Sequence, residues 1–195
     1  MTKIKNLYGL ILAGGFSKRM GQDKALMVYH GKPQIEYVHE LLNSHCEQVF
    51  LSKRFNQQAY NQFPSINDDQ EFLDIGPLGG ILSAMKAYPD ASWLIMACDL
   101  PFVTHHTLEY LIMNRDNQKI ATAFKSVYDG FPEPLCAIWE GQGHKNILEF
   151  LKNGIRCPRK ILINSNSHLL EQKNPQWLDN VNDKNEYQEA LQKLC

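Results

Sequence analysis

Between Leu12 and Ala25 the chain reads Leu-Ala-Gly-Gly-Phe-Ser-Lys-Arg-Met-Gly-Gln-Asp-Lys-Ala, so three glycines and three cations fall within 11 residues. Glycine lets the backbone approach a ligand closely and turn through positive φ, so that successive N–H groups converge on an anion. Lys18, Arg19 and Lys24 add a fork of donors and two compact positive charges, the set that neutralises a polyphosphate. The plain alternative is a glycine-rich turn carrying solvated lysines. The clustering of cations directly after a buried-looking strand favours phosphate binding. Two common phosphate loops fail on spacing. A P-loop needs Lys-Ser/Thr directly after its last glycine, whereas Gly21 is followed by Gln22-Asp23-Lys24. The dinucleotide fingerprint G-x-G-x-x-G is matched neither by Gly14-Gly15 nor by Gly76-Pro77-Leu78-Gly79-Gly80.

A second chemical feature is Asp99, in Cys98-Asp99-Leu100-Pro101, just beyond the apolar run Trp93–Ala97. A carboxylate at a strand end suits Mg²⁺, which keeps several waters and needs only one or two carboxylates beside substrate phosphates. Equally, an aspartate there can cap a helix starting near Thr104. Gly76-Pro77-Leu78-Gly79-Gly80 reads as a helix start next to a ligand, or as tight helix–sheet packing. Arg156, Arg159 and Lys160 form a second basic cluster, readable as an acceptor-phosphate grip or as a solvated loop. His30, His39, His45, His144 and His168 show no ligand spacing, His105-His106 reads as the first turn of a helix, and Trp93 and Trp139 sit in apolar runs that read as core.

These groups have to be carried by strands and helices. Leu7 to Ala13 is a continuous apolar run, the pattern of a central strand buried on both faces of a parallel sheet. Further runs at 49–52, 93–97, 120–124, 135–139 and 161–163 predict strands. Ile35/Val38/Leu41/Leu42, Leu108/Leu111/Ile112 and Ile147/Leu148/Leu151 predict amphipathic helices between them, as does the Pro77–Tyr88 segment. Alternation of this kind predicts an α/β fold: a Rossmann-like open, mostly parallel sheet with helices on both faces and ligands beyond the carboxyl ends of its strands. With 195 residues and 44% hydrophobic content, one domain over residues 1–195 is expected. The polar, asparagine-rich stretch 164–185 reads as a mobile loop or a late insertion.

Composition excludes several classes. Twenty basic against 21 acidic residues give a net charge of −1, so neither nucleic acid nor an anionic membrane is an expected partner. The apolar run near the N-terminus is too short to span a bilayer. Five cysteines without a C-x-x-C pair suit a reducing compartment, and a cytoplasmic protein is expected.

The pattern Leu12-Ala-Gly-Gly-x-Ser-x-Arg19-Met20-Gly21-x-Asp23-Lys24 closely resembles the signature of the molybdenum cofactor guanylyltransferases and their nucleotidyltransferase relatives. Gly31-Lys32-Pro33, Gly76–Gly80, Cys98–Pro101, Pro132-Glu133-Pro134-Leu135 and Asn180-Val181-Asn182 continue the resemblance in order along nearly the whole chain. The resemblance implies a Mg²⁺-dependent nucleotidyltransferase that moves GMP from GTP onto the terminal phosphate of molybdopterin and releases pyrophosphate. Other proteins of the molybdopterin pathway are then possible partners. It implies that Leu12, Ala13, Gly14, Gly15, Lys24, Ser52, Asp69 and Asp99 bind the nucleotide, with Asp68 beside Asp69 as the adjacent choice. Arg19, Lys24 and Asp99 become catalytic, Asp99 becomes the metal ligand, and Asn180 and Asn182 come near metal and acceptor, although the two asparagines also suit an ordinary turn. Ser52 stands where asparagine is frequent in relatives. Relatives that transfer CMP tend to read Leu-Ala-Ala-Gly, so Gly14-Gly15 speaks for GTP. Two alternatives stay open: a relative using CTP or another phosphorylated acceptor, and a non-catalytic nucleotide-binding module.

Overall fold

A computed structural model describes residues 3–13, 16–17, 22–53 and 62–194. Nine strands and six helices are assigned among these residues: β1 (Ile4–Leu12), β2 (Phe16–Ser17), β3 (Gln22–Asp23), α1 (Gln34–Asn43), β4 (Cys46–Lys53), β5 (Ser65–Asn67), α2 (Pro77–Ala87), β6 (Ser92–Ala97), α3 (His105–Met113), β7 (Ala121–Lys125), β8 (Pro132–Trp139), α4 (His144–Lys152), α5 (Pro158–Ile163), β9 (His168–Leu170) and α6 (Lys184–Leu194). Seven strands form one open sheet in the order β5-β4-β1-β6-β8-β7-β9, and β2 pairs with β3 as a small separate ribbon. The expected α/β sheet with a central first strand is the observed one. It is mixed: every neighbour pair is parallel except those made by β8, which runs against β6 and β7.

β1 is central because its alternate side chains serve two cores. Leu7 and Ile11 face one layer with Ile35, Val38, Leu41 and Leu42 of α1 and Leu108 and Leu111 of α3. Leu10 faces the other with Leu78, Ile81 and Leu82 of α2, Ile147 of α4, and Ile161 and Leu162 of α5. Each fully buried aliphatic side chain of this kind contributes about 1.5–3 kcal/mol from removal of apolar surface. Trp93 and Trp139 are cross-strand partners at the start of β6 and the end of β8, both fully buried.

Two expectations change. Residues 161–163 form no strand but the end of helix α5, whose first residue is Pro158. Pro158, Ile161 and Leu162 are its buried positions, a helical i, i+3, i+4 stripe, and a three-residue apolar run does not distinguish that from a strand. The 164–185 stretch is built into the fold. Its β9 pairs with β7 through Thr122–His168, Ala123–Leu169 and Phe124–Leu170. Trp177, almost fully buried, packs against Phe124 and Tyr110. Two apolar anchors in a polar segment suffice to dock it.

Val181 and Ala190 join Met27 and Tyr29 in a third, satellite core that lays α6 against the segment following Lys24. Cys46, Cys98 and Cys136 are buried and unbridged, and burial pushes the Cys46 and Cys136 thiols up to about 12. Among the described residues no helix is long and apolar enough to cross a membrane.

Candidate active site

The carboxyl ends of the two central parallel strands coincide, because Leu12 of β1 is level with Ala97 of β6. Beyond them the chain continues as Ala13 on one side and Cys98-Asp99 on the other, and the Cys98 N–H donates to the Leu12 carbonyl at 3.3 Å. The reversed direction of β8 matters here. Its amino-terminal residues Glu133, Pro134 and Leu135 arrive at this same end of the sheet, as the pairing of Met96 with Cys136 requires. Asp99 therefore stands where three strands meet.

Lys24 reaches this point from the short 3₁₀ turn Lys24–Leu26, whose start is fixed by Asp23: its carboxylate accepts from the Ala25 N–H at 3.0 Å. The Lys24 ammonium donates to Asn182 Oδ1 at 2.7 Å and lies 3.5 Å from Asp99 Oδ2. The Asp99 carbonyl in turn accepts from the Val181 N–H at 2.9 Å. Residues separated by 75 and 158 positions thus converge on one cation. Burial pushes the Cys98 thiol well above its ordinary range, and the charges of Asp99 and Asp23 push it further, so Cys98 stays a neutral wall.

The helix-cap reading of Asp99 does not hold. Thr104 caps α3, accepting from the Thr107 N–H at 3.4 Å, while the Thr107 hydroxyl accepts from the Thr104 N–H at 3.2 Å. Freed of that role, Asp99 borders two clefts. One, of about 190 Å³, is lined by Leu12, Ala13, Lys24, Pro77, Cys98 and Asp99. The other, of about 420 Å³, holds Tyr128, Glu133, Arg159 and Asn180. Asp99 and Leu135 line both.

Ser52, at the end of β4, donates to Asp68 Oδ1 at 3.2 Å. Asp69 is engaged elsewhere. It starts the 3₁₀ turn Gln70–Phe72, accepts from the Glu71 N–H at 2.9 Å and pairs with Lys86 at 2.9 Å. The Lys86 hydrogen bond, then the Glu71 N–H, hold its carboxyl below the usual range. Of the two neighbouring aspartates it is Asp68 that meets Ser52. Gly79 and Gly80 serve packing: a Cβ on Gly79 would lie 2.4 Å from the Phe72 carbonyl oxygen and one on Gly80 2.2 Å from Ser52 Oγ. Gly76 takes φ +67° and Pro77 lines the smaller cleft.

In the second basic cluster Arg159 lines the larger cleft. It is held by Asp129 at 2.9 Å and Glu133 at 2.7 Å, whereas Arg156 and Lys160 are exposed. Asn180 lines that cleft and Asn182 holds Lys24. Gly14, Gly15, Lys18 and Arg19 lie outside the described residues. Tyr128, whose hydroxyl donates to Asp179 Oδ1 at 2.5 Å, and Glu186 are site neighbours that motif reading missed. Only the Asp183-x-x-Glu186 spacing, a helix-start signal, marked the latter.

Among the described residues no group of three or more His, Cys, Asp or Glu side chains forms a metal cage. One carboxylate between two open clefts, with amide oxygens nearby, fits a hard cation that completes its shell with water and substrate oxygens. It does not fit a structural zinc site. A larger hollow of about 500 Å³ lies at the opposite end of the sheet, near Ile120 and Gly143. It is lined by amides, and its lysine, Lys119, is bound to Asn166 Oδ1 at 2.8 Å.

Residues 9–170 match the MobA-like NTP transferase domain model. A Synechocystis protein named "Molybdenum cofactor biosynthesis bifunctional protein" is 38% identical over 184 residues, 93% of this chain. The chain spans about half of that relative, 52% of its length. A Bacillus cereus protein named "Probable molybdenum cofactor guanylyltransferase" is 32% identical, with 95% of this chain and 96% of that one covered. The crystal structure of an Archaeoglobus fulgidus protein, molybdopterin-guanine dinucleotide biosynthesis protein A, has the same fold. It superposes with a TM-score of 0.75 at 24% identity, covering 95% of this chain and 97% of that one.

Proposed function

The chain belongs to the MobA-like NTP transferase domain family, and from that premise we propose that it transfers GMP from GTP to the molybdopterin form of the molybdenum cofactor, with release of pyrophosphate. The observation that carries the reading is the convergence of Lys24, Asp99 and Asn182 at the junction of two clefts, one walled by the end of β1 and the other by Glu133, Arg159 and Asn180.

The smaller cleft takes the nucleotide phosphates and the larger one the acceptor. A terminal phosphate oxygen of the acceptor forms a bond to the α-phosphorus, and the bond from that phosphorus to the β-phosphate oxygen breaks. The acceptor is already anionic, so no protein base has to remove a proton. The chain's task is to hold two anions in line and neutralise the charge between them. Lys24 supplies a compact positive charge that Asn182 keeps oriented, and Arg19 is proposed to add a second. Asp99 would hold Mg²⁺, which would supply positive charge beside the phosphates. Ser52, Asp68 or Asp69, and the backbone of Leu12, Ala13, Gly14 and Gly15 are proposed to seat the rest of the nucleotide. A cytoplasmic setting agrees with the free, buried thiols.

The test is pyrophosphate release by purified protein given Mg²⁺, molybdopterin and each of GTP, CTP, ATP and UTP, with nucleotide-induced thermal stabilisation measured in parallel. Release with GTP alone is expected. Release with CTP in its place moves the chain to cytidylyl transfer, and stabilisation without release in any mixture makes it a binding module.

A further inference from the structure

α6 lies at the far end of the chain, yet its first turn is coupled to the lysine that follows the glycine-rich loop. Asp183 caps this helix, its Oδ1 accepting from the N–H groups of Asn185 at 2.9 Å and Glu186 at 3.0 Å. In an ordinary capping box the acidic side chain three residues into the helix turns back to the N–H of the cap residue. Glu186 reaches one residue further and accepts from the Asn182 N–H at 2.6 Å. The neighbouring N–H, of Val181, is fixed on the Asp99 carbonyl at 2.9 Å. Asn182 is thus pinned at its own amide and at the preceding one, and its side-chain oxygen takes the Lys24 ammonium at 2.7 Å. The rest of α6 is anchored to the same segment: the Tyr187 hydroxyl donates to the Val28 carbonyl at 3.1 Å and its ring meets Tyr29 edge-on.

Lys24 has two acceptors among these groups, Asn182 at 2.7 Å and Asp99 at 3.5 Å. With Asn182 unpinned, the attraction of opposite charges draws the ammonium fully onto Asp99. Lysine and carboxylate then neutralise each other, the ammonium is lost to an incoming polyphosphate and the carboxylate to the cation that accompanies it. From this geometry we infer that Glu186 is a positioning residue: through the Asn182 backbone it keeps Lys24 from closing fully onto Asp99, so that the ammonium stays available to the triphosphate and the carboxylate to the cation that accompanies it. The inference rests on the nucleotide-site reading above.

The experiment is a double-mutant cycle read by calorimetric titration of the full chain with Mg²⁺ and the triphosphate that the unmodified protein binds. Glu186→Ala is expected to weaken binding about tenfold, the scale of one hydrogen bond to a charged group. Glu186→Gln, which keeps an acceptor oxygen, restores affinity to within about twofold. In a Lys24→Met background Glu186→Ala has no further effect, because nothing remains to be positioned. Equal losses in the two backgrounds, or no recovery in Glu186→Gln, overturn the inference in favour of a merely structural role for α6. If no triphosphate binds the unmodified protein, the nucleotide-site reading falls first and this inference with it.

Discussion

Replacing Asp99 by asparagine keeps the shape of the side chain and removes one charge, so the consequences for folding and for chemistry separate. At 3.5 Å the Lys24–Asp99 pair has a Coulomb attraction of about 5 kcal/mol at an effective dielectric of about 20. That figure is not the net stability. The two side chains retain 17% and 28% of their solvent exposure, and pairs that remain solvated return about 0.2–1 kcal/mol. Lys24 also keeps its 2.7 Å bond to Asn182, and the Asp99 carbonyl keeps the Val181 N–H. Asp99→Asn should therefore lower Tm by no more than about 2–4 °C, the shift for 1 kcal/mol in a chain of this size. Chemistry loses far more. On the proposed chemistry, loss of the carboxylate removes the group that organises charge at the phosphates, and a cost of about 10²–10³ in turnover is expected. Calorimetry of the unliganded protein together with a pyrophosphate-release assay measures the two effects independently. A variant that melts many degrees lower while keeping turnover within tenfold would make Asp99 structural and refute the reasoning.

Three further outcomes follow from other parts of the fold. Arg115 donates twice to the buried carboxylate of Glu140, at 2.7 and 2.6 Å, so Arg115→Met strands a charge left with only the Ser92 hydroxyl at 2.6 Å. A loss of about 3–5 kcal/mol in denaturant unfolding is expected, largely relieved when Glu140→Gln is added. A Cβ on Gly79 meets the Phe72 carbonyl at 2.4 Å, so the 3₁₀ turn has to move. The strain of about 1–3 kcal/mol outweighs a helix-propensity gain of about 1 kcal/mol, and Gly79→Ala should melt lower; a rise in Tm contradicts the close packing. Burial is the largest cause holding His39, His45 and His144 below their ordinary value of 6.5. Protons then bind the unfolded chain more readily, so stability is complete above about pH 6.5 and falls as pH drops below it. Calorimetric Tm between about pH 7.5 and about pH 5.5 should decline, and His144→Gln should flatten that slope.

Part of the candidate site was legible in the chain because its parts are local. An apolar run specifies the buried strand β1, since the pattern of apolar side chains is a property of adjacent residues. The place of Asp99 just past β6 was readable for the same reason. What required tertiary structure were choices in which neighbours compete or distant segments meet. Residues 161–163 are helical because Pro158, Ile161 and Leu162 bury together against β8, which no three-residue pattern contains. The reversed direction of β8, which brings Glu133 and Leu135 to the Asp99 end of the sheet, depends on which strands it joins. Asp68 rather than Asp69 meets Ser52 because Lys86 and the Glu71 N–H engage the latter. The contact between Lys24 and Asn182, 158 residues apart, exists only once Val181 and Ala190 have packed on Met27 and Tyr29. Sequence periodicity reports what each residue's neighbours require. The partner of a charge is decided by loop closure and packing of the whole chain, which act over separations that no local pattern spans.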